Sequence, residues 1–175
     1  MEFPEVIFGN HEAYLHVQEE IADFFSGHEE GLSAAFSAGK HMRATYKGLE
    51  HFFTDFTGPV CMKCKNPCCV NRHGFPDYED IVVFNAMGIK PPNFNCSTVD
   101  TEPCQFLSET GCILPRFRRS YRCTWYFCDY CMDKFQAQEE TEFKKFEILM
   151  QDLSRNRIIL LEQFEREWLH SRPGH

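Results

Sequence analysis

From Asn10 to Phe25 the apolar positions Ala13, Tyr14, Val17, Ile21, Phe24 and Phe25 recur at steps of three and four, the spacing of one helical face. An amphipathic helix is expected there. After the Ser26-Gly27-His28 break the same kind of stripe resumes with Leu32, Phe36, Gly39, Tyr46, Leu49, Phe53 and Phe56. This predicts a second, long helix that stops at Gly58-Pro59. From Met132 to about Leu169 the stripe returns in Phe135, Phe143, Phe146, Leu149, Met150, Leu153, Leu160, Leu161, Phe164 and Trp168. One long helix, or two joined near Ser154-Asn156, fits it. Glu139, Glu140, Lys144, Lys145 and Glu147 fall between these positions and read as a solvated face.

The middle of the chain breaks this pattern. Between Cys61 and Cys131 single apolar residues alternate with turn formers and most of the prolines, so regular elements alone are not expected to hold it. One helix is legible inside it. Asp77 is a plausible N-cap, Glu79 and Asp80 suit the first turn, and Gly88 ahead of Pro91-Pro92 is a stop. Its residues Ile81, Val82, Val83, Phe84 and Met87 predict a largely buried piece. The expected architecture is mainly α with little or no strand. Residues 1–58 and 132–175 supply helices that pack together, and residues 59–131 form a cysteine-rich segment seated against them, all in a single domain.

Composition changes this picture in three ways. With 43% hydrophobic, 15% aromatic and 25% charged residues among 175, and with 18 phenylalanines, the chain is expected to build a packed core of rings. The formal net charge of -8 speaks against general nucleic-acid binding. No stretch approaches the length of apolar residues that spans a bilayer, and Met1-Glu2-Phe3-Pro4-Glu5 lacks the basic and apolar regions of a secretory signal, so a cytoplasmic protein is expected. In a reducing compartment ten cysteines more often bind metal than form disulfides.

The cysteines carry the candidate chemistry. Cys61-Met-Lys-Cys64 precedes Cys68-Cys69, and a two-residue gap lets a tight turn aim both thiolates at one metal. Cys104, Cys112 and Cys123 follow, and Cys128 and Cys131 repeat the Cys-x-x-Cys spacing. Two such pairs can complete one tetrahedral site. Cys96 has no partner motif and reads as a small buried hydrophobe. Cys69 either joins a second metal or is a reactive thiol, and His73, four residues on, is the one histidine well placed as a ligand. The spacing is neither the ferredoxin run nor the radical-enzyme pattern, and it leaves zinc and an iron-sulfur cluster both open as cofactor.

Arg116, Arg118, Arg119 and Arg122 lie between Cys112 and Cys123, where their charge would stabilise clustered thiolates. The competing reading makes them an anion or cofactor site beside the metal, since the guanidinium fork suits carboxylate or phosphate. Phe117, Tyr121, Trp125, Tyr126 and Phe127 are expected to pack around the metal rather than to stack on bases. No phosphate loop, Ser-His-Asp order or His-Glu-x-x-His motif is present.

An ordered set of motifs resembles a known family. Cys61-x-x-Cys64 with Cys68-Cys69, Asp80-Ile81 leading to Met87-Gly88-Ile89, Cys104-Gln-Phe106-Leu107, Gly111-Cys112-Ile113, and Arg119-x-x-x-Cys123 with Cys128 resemble the YkgJ-type cysteine-cluster family, a zinc- or iron-chelating domain. The resemblance runs from about Pro59 to Cys131. The family has two residues before its double cysteine where this chain has three, and Arg-Pro and Cys-Arg where this chain has Arg119-Ser120 and Cys123-Thr124. The resemblance implies metal binding without an assigned reaction; some relatives attach the domain to protein lysine methylation. Three functional readings therefore stand: a metal-binding protein, a metal- or cluster-dependent enzyme with redox or protein-modifying chemistry, and a metal-shaped surface for a protein partner.

Overall fold

The computed structural model describes residues 3–171, so Met1, Glu2 and His175 lie outside the described residues. Helix α1 (His11–Gly27) begins where Asn10 accepts the Ala13 amide at 3.0 Å, and it buries Tyr14, Val17, Ile21, Phe24 and Phe25 as the stripe predicts. Helix α2 (Ser33–Phe52) buries Ala35, Ala38, Gly39, Met42, Tyr46, Leu49 and Phe52. It does not stop at Gly58-Pro59. A wider π-turn spans Phe53–Thr57, and a short helix α3 (Gly58–Cys61) carries the chain on to the first cysteine. The amide of Gly58 reaches back to the Phe53 carbonyl, and the Thr57 hydroxyl donates to the same oxygen at 2.9 Å. Pro59 has no amide to donate and its ring crowds the preceding turn, so the widened register lets the helix pass where an α-turn would break.

After a one-turn helix α4 (Asn71–Gly74), helix α5 (Tyr78–Ala86) has the expected start and end. Asp77 and Asp80 form a reciprocal capping box. At the other end Gly88 takes φ of 66°, which lets the Ile89 amide bond the Phe84 carbonyl at 2.8 Å and the Gly88 amide bond that of Asn85 at 2.9 Å. The only sheet among the described residues is a hairpin of β1 (Leu107–Ser108) and β2 (Gly111–Cys112), with Leu107 opposite Cys112. Helices α6 (Arg122–Trp125) and α7 (Asp129–Gln136) are short, and α8 (Glu140–His170) runs unbroken through Ser154-Asn156. The break in the C-terminal stripe falls instead at residues 137–139, between α7 and α8.

The helices from the two ends form the frame. A Cβ at Gly31 would meet Glu167 and one at Gly48 would meet Leu149, so α2 and α8 run antiparallel along each other. Their interface and that of α1 are filled by rings, including Phe24 with Trp168 at 4.7 Å and Phe25 with Phe164 at 5.3 Å between centroids. Each buried ring removes a large apolar area from water, worth about 2–3 kcal/mol. Helix α5 lies against α1 and α2, with Gly39 facing the Ala86 carbonyl. No helix among the described residues is long and apolar enough to cross a membrane. His41 and His51 both face outward.

Candidate metal centre

The cysteine segment is tied to the frame by polar contacts that no spacing rule exposes. Asn71 is only 2% exposed; its amide nitrogen donates to the Val99 carbonyl at 2.8 Å and its side-chain oxygen accepts the Gln105 amide at 2.9 Å. Its own backbone amide bonds Glu102, and Cys104 in turn donates to the Cys69 carbonyl at 2.9 Å. One buried asparagine thus clamps the double cysteine beside Cys104. Sequence reading missed it because a lone asparagine before Arg72 carries no signal of burial. Asp80 works at longer range: Oδ1 accepts the Tyr121 amide at 2.8 Å, which moors the loop ahead of Cys123 to α5. Burial, then the neighbouring Asp77, pushes its carboxyl up to about 7.

Around this clamp Cys104, Cys112 and Cys123 gather. The hairpin delivers Cys112, helix α6 delivers Cys123, and the Cys123 thiol points at the His73 carbonyl at 3.7 Å. A Cβ on Gly74 would sit 2.7 Å from the Cys104 sulfur, so the chain passes over that thiol with no room for a side chain. Burial, followed by the charges of Cys104 and Cys112, pushes the Cys123 thiol up to about 12. Burial raises Cys104 as well. The two adjacent thiols of the double cysteine are driven apart: the neighbouring Cys69 lowers Cys68, whereas Cys68, followed by burial, raises Cys69. His73 is fixed beside them by its Nδ1 contact with the Cys68 carbonyl at 2.9 Å.

A second gathering lies at the junction of α3 and α7. Cys128 stands at the N-cap position of α7 without a side-chain capping bond, and its sulfur is 3.6 Å from that of Cys131. Burial raises the Cys61 and Cys131 thiols, and each acts on the other's titration. Rings pin this junction to the frame: Phe127 stacks on Phe53 at 5.8 Å, and Phe135 stacks on Phe146 at 4.2 Å and meets Phe56 at 5.9 Å. All ten cysteines are free, with Cys61, Cys64 and Cys68 exposed at the surface. Among the described residues no three of the His, Cys, Asp and Glu groups stand close enough together to be a ready-made metal site. Cys96 is in the hydrophobic core, its thiol toward the Phe94 carbonyl at 3.7 Å.

The arginines divide. Arg116 is 7% exposed, with its guanidinium carbon 3.6 Å from the centre of the Phe53 ring and Nη1 donating to the Cys123 carbonyl at 2.8 Å. Its Nε has no hydrogen-bond partner, and among the described residues no carboxylate forms an ion pair with it. Arg119 donates to the carbonyls of Leu114 and Cys112 at 2.8 and 3.4 Å, Arg118 reaches that of Lys90 at 3.4 Å, and Arg122 is exposed. Three guanidinium groups thus brace different stretches of backbone. Of the aromatic residues in this stretch Phe117, Tyr121 and Phe127 pack against the core, whereas Trp125 and Tyr126 are each 50% exposed. Helix α6 is a single turn whose inward side is taken by Thr124 and Cys123, which leaves these two rings to solvent.

The chain matches none of the family models, curated proteins or solved structures with which it was compared. The YkgJ-type resemblance therefore rests on its motifs.

Proposed function

We propose that this protein binds metal, as zinc or an iron-sulfur cluster, through clustered cysteine thiolates, with Cys69, Cys104, Cys112 and Cys123 as one donor set and Cys68 and His73 at its edge. The observation that carries the reading is the buried cation of Arg116 beside Cys123: among the described residues no carboxylate stands at ion-pair distance, and its charge is offset only at longer range by Cys123, then Glu50 and Cys112. Burying an unpaired charge costs several kcal/mol, so about that much must be recovered from an anionic neighbour. The Cys123 thiol cannot supply it alone, because burial, then the charges of Cys104 and Cys112, raises it. A bound cation resolves both sides: it favours the thiolates, and four thiolates around a divalent ion leave net negative charge for the guanidinium.

The donor chemistry agrees. Soft thiolates select zinc, iron-sulfur clusters and related soft metals over calcium or magnesium. Arg119, donating to the Cys112 carbonyl, would hold the hairpin in register with the site. Cys112→Ser is expected to lose most of its metal when purified anaerobically, while Cys96→Ser, at a thiol in the hydrophobic core, keeps the wild-type complement. Elemental analysis of the two variants checks this. Full metal content in Cys112→Ser would count against the donor set.

A further inference from the structure

We infer that one face of the frame, made by Lys40, Arg43 and Lys47 of α2 with Lys90 and Arg118 beside them, is a docking surface for a short acidic segment of a partner protein. It goes beyond the metal reading and does not depend on it, since none of these residues is a donor and α2 contains no cysteine.

The charges of the chain are segregated. Acidic side chains outnumber basic ones by 26 to 18, yet residues 33–49, 81–99 and 110–128 contain no aspartate or glutamate. Those same stretches carry Lys40, Arg43, Lys47, Lys90 and the arginines from Arg116 to Arg122. The fold brings the three stretches to one side. A Cβ on Gly39 would stand 2.4 Å from the Ala86 carbonyl oxygen, so the end of α5, with Lys90 just beyond it, lies beside the first of the α2 cations. Arg118 reaches the Lys90 carbonyl at 3.4 Å. The neighbouring ring of Phe117 lies under Arg43, with 5.5 Å from the guanidinium carbon to the ring centroid, which closes the circuit back to α2.

The protein does not neutralise this face. Among the described residues none of the five cations is in an ion pair, and Lys40, Arg43, Lys47 and Lys90 are exposed. Lys90 has a local reason for its charge, because the carbonyl end of α5 favours a cation. The α2 cations have none. They fall within about 60° of arc in the middle of the helix, and like charges at such spacings destabilise the helix that carries them. An ordinary solvated face mixes both signs, as α8 does where Lys145 pairs with Glu142 and Arg155 with Asp152.

The edges of the patch select the partner. From Lys40 to Lys47 the helix rises about 10 Å. Glu29 and Glu30 lie ahead of α2, and Glu50 comes one turn after Lys47, all three exposed. A nucleic-acid strand laid along α2 would meet like charge at both ends. The ring at this face, Phe117, is packed against the core beneath Arg43 and offers no open side to a base. A few carboxylates in a row can reach the lysine and guanidinium heads without passing those edges, and arginine and lysine clusters recognise acidic motifs in this way.

Fluorescence anisotropy of a labelled oligoglutamate peptide with the reduced full-length protein at low salt tests the assignment. The wild type is expected to bind, and binding should weaken steeply as salt is raised. The triple variant Lys40→Gln, Arg43→Gln, Lys47→Gln should bind at least about tenfold more weakly, with helix content by circular dichroism and metal content unchanged. A charge-matched control on α8, Lys144→Gln, Lys145→Gln, Arg166→Gln, should bind as the wild type does. Equal binding by the two triple variants, or no binding by the wild type, would overturn the surface. An oligothymidylate of equal charge that bound more tightly than the peptide and was lost in the α2 variant would replace the protein partner with nucleic acid. Low-salt self-association of the wild type that the α2 variant abolished would replace it with a second copy of this chain.

Discussion

Stripping metal from the reduced protein with a chelator is expected to release the cysteine-bearing loops on either side of α5 from the helices that carry them, while α5 itself stays packed on α1 and α2. Structural metal binding in small domains is worth on the order of 10 kcal/mol and is coupled to folding. Whole domains are stable by only about 5–15 kcal/mol, so the loss is comparable to everything else that holds this segment. Beyond Phe75 and Phe94 in the core and the contacts of Phe127 and Arg116 with Phe53, the supports of these loops are few: the Asn71 clamp, the Asp80 contact with Tyr121, and the two-residue strands of the hairpin. The α2–α8 pair does not depend on thiols, since its buried contacts are apolar side chains and its polar contact, His51 with Glu142, involves no cysteine. Hydrogen exchange should therefore show the amides of Asn71, Cys104 and Ile113 losing protection after chelation while the middle of α8 keeps it. Equal protection before and after would mean that the segment is held by its protein contacts alone.

The second large effect lies in the frame. A methyl at Gly39 would stand 2.4 Å from the Ala86 carbonyl oxygen and 2.6 Å from its carbon, both backbone atoms of α5. Within an isolated helix glycine to alanine is stabilising by about 1 kcal/mol. At Gly39 that gain is outweighed, because backbone cannot rotate away as a side chain can, and overpacking of this severity costs on the order of 3 kcal/mol. Gly39→Ala should lower the denaturation midpoint clearly. Gly27→Ala, with nothing within 4 Å of its new methyl, should be neutral or slightly stabilising. A neutral Gly39→Ala would show that α2 and α5 are not packed this closely. The cysteine segment would feel the change too, since α5 carries Asp80.

The helical frame was legible because its residues repeat a periodic signal many times. The start at Asn10, the Asp77 cap and the Gly88 stop are local chemistry with one structural answer each. Pro59 misled because proline usually ends a helix, whereas here a π-turn absorbs it. The break before α8 was hidden for the opposite reason. Ala137, Gln138 and Glu139 carry no breaker, and the chain turns there while Phe135 stacks on Phe146, a tertiary contact with no sequence marker.

The site was legible only as a set. Spacing identifies two Cys-x-x-Cys turns and sets Cys96 apart, because these are features of neighbouring residues. Which distant thiols meet depends on the π-turn, the phenylalanine contacts around α7 and the Asn71 clamp. The arginines show the same limit. Four of them within seven residues read as one charged patch, yet Arg116 is inside on Phe53 and Arg122 is outside.

The central claim is that clustered thiolates hold metal. Elemental and acid-labile sulfide analysis of the wild-type protein, purified anaerobically without added metal, tests it most directly. The account predicts zinc, or iron with matching sulfide, in whole-number ratio to the chain, and correspondingly few cysteines open to thiol reagents. A protein free of zinc and iron, with all ten cysteines titrating as ordinary thiols, would contradict it.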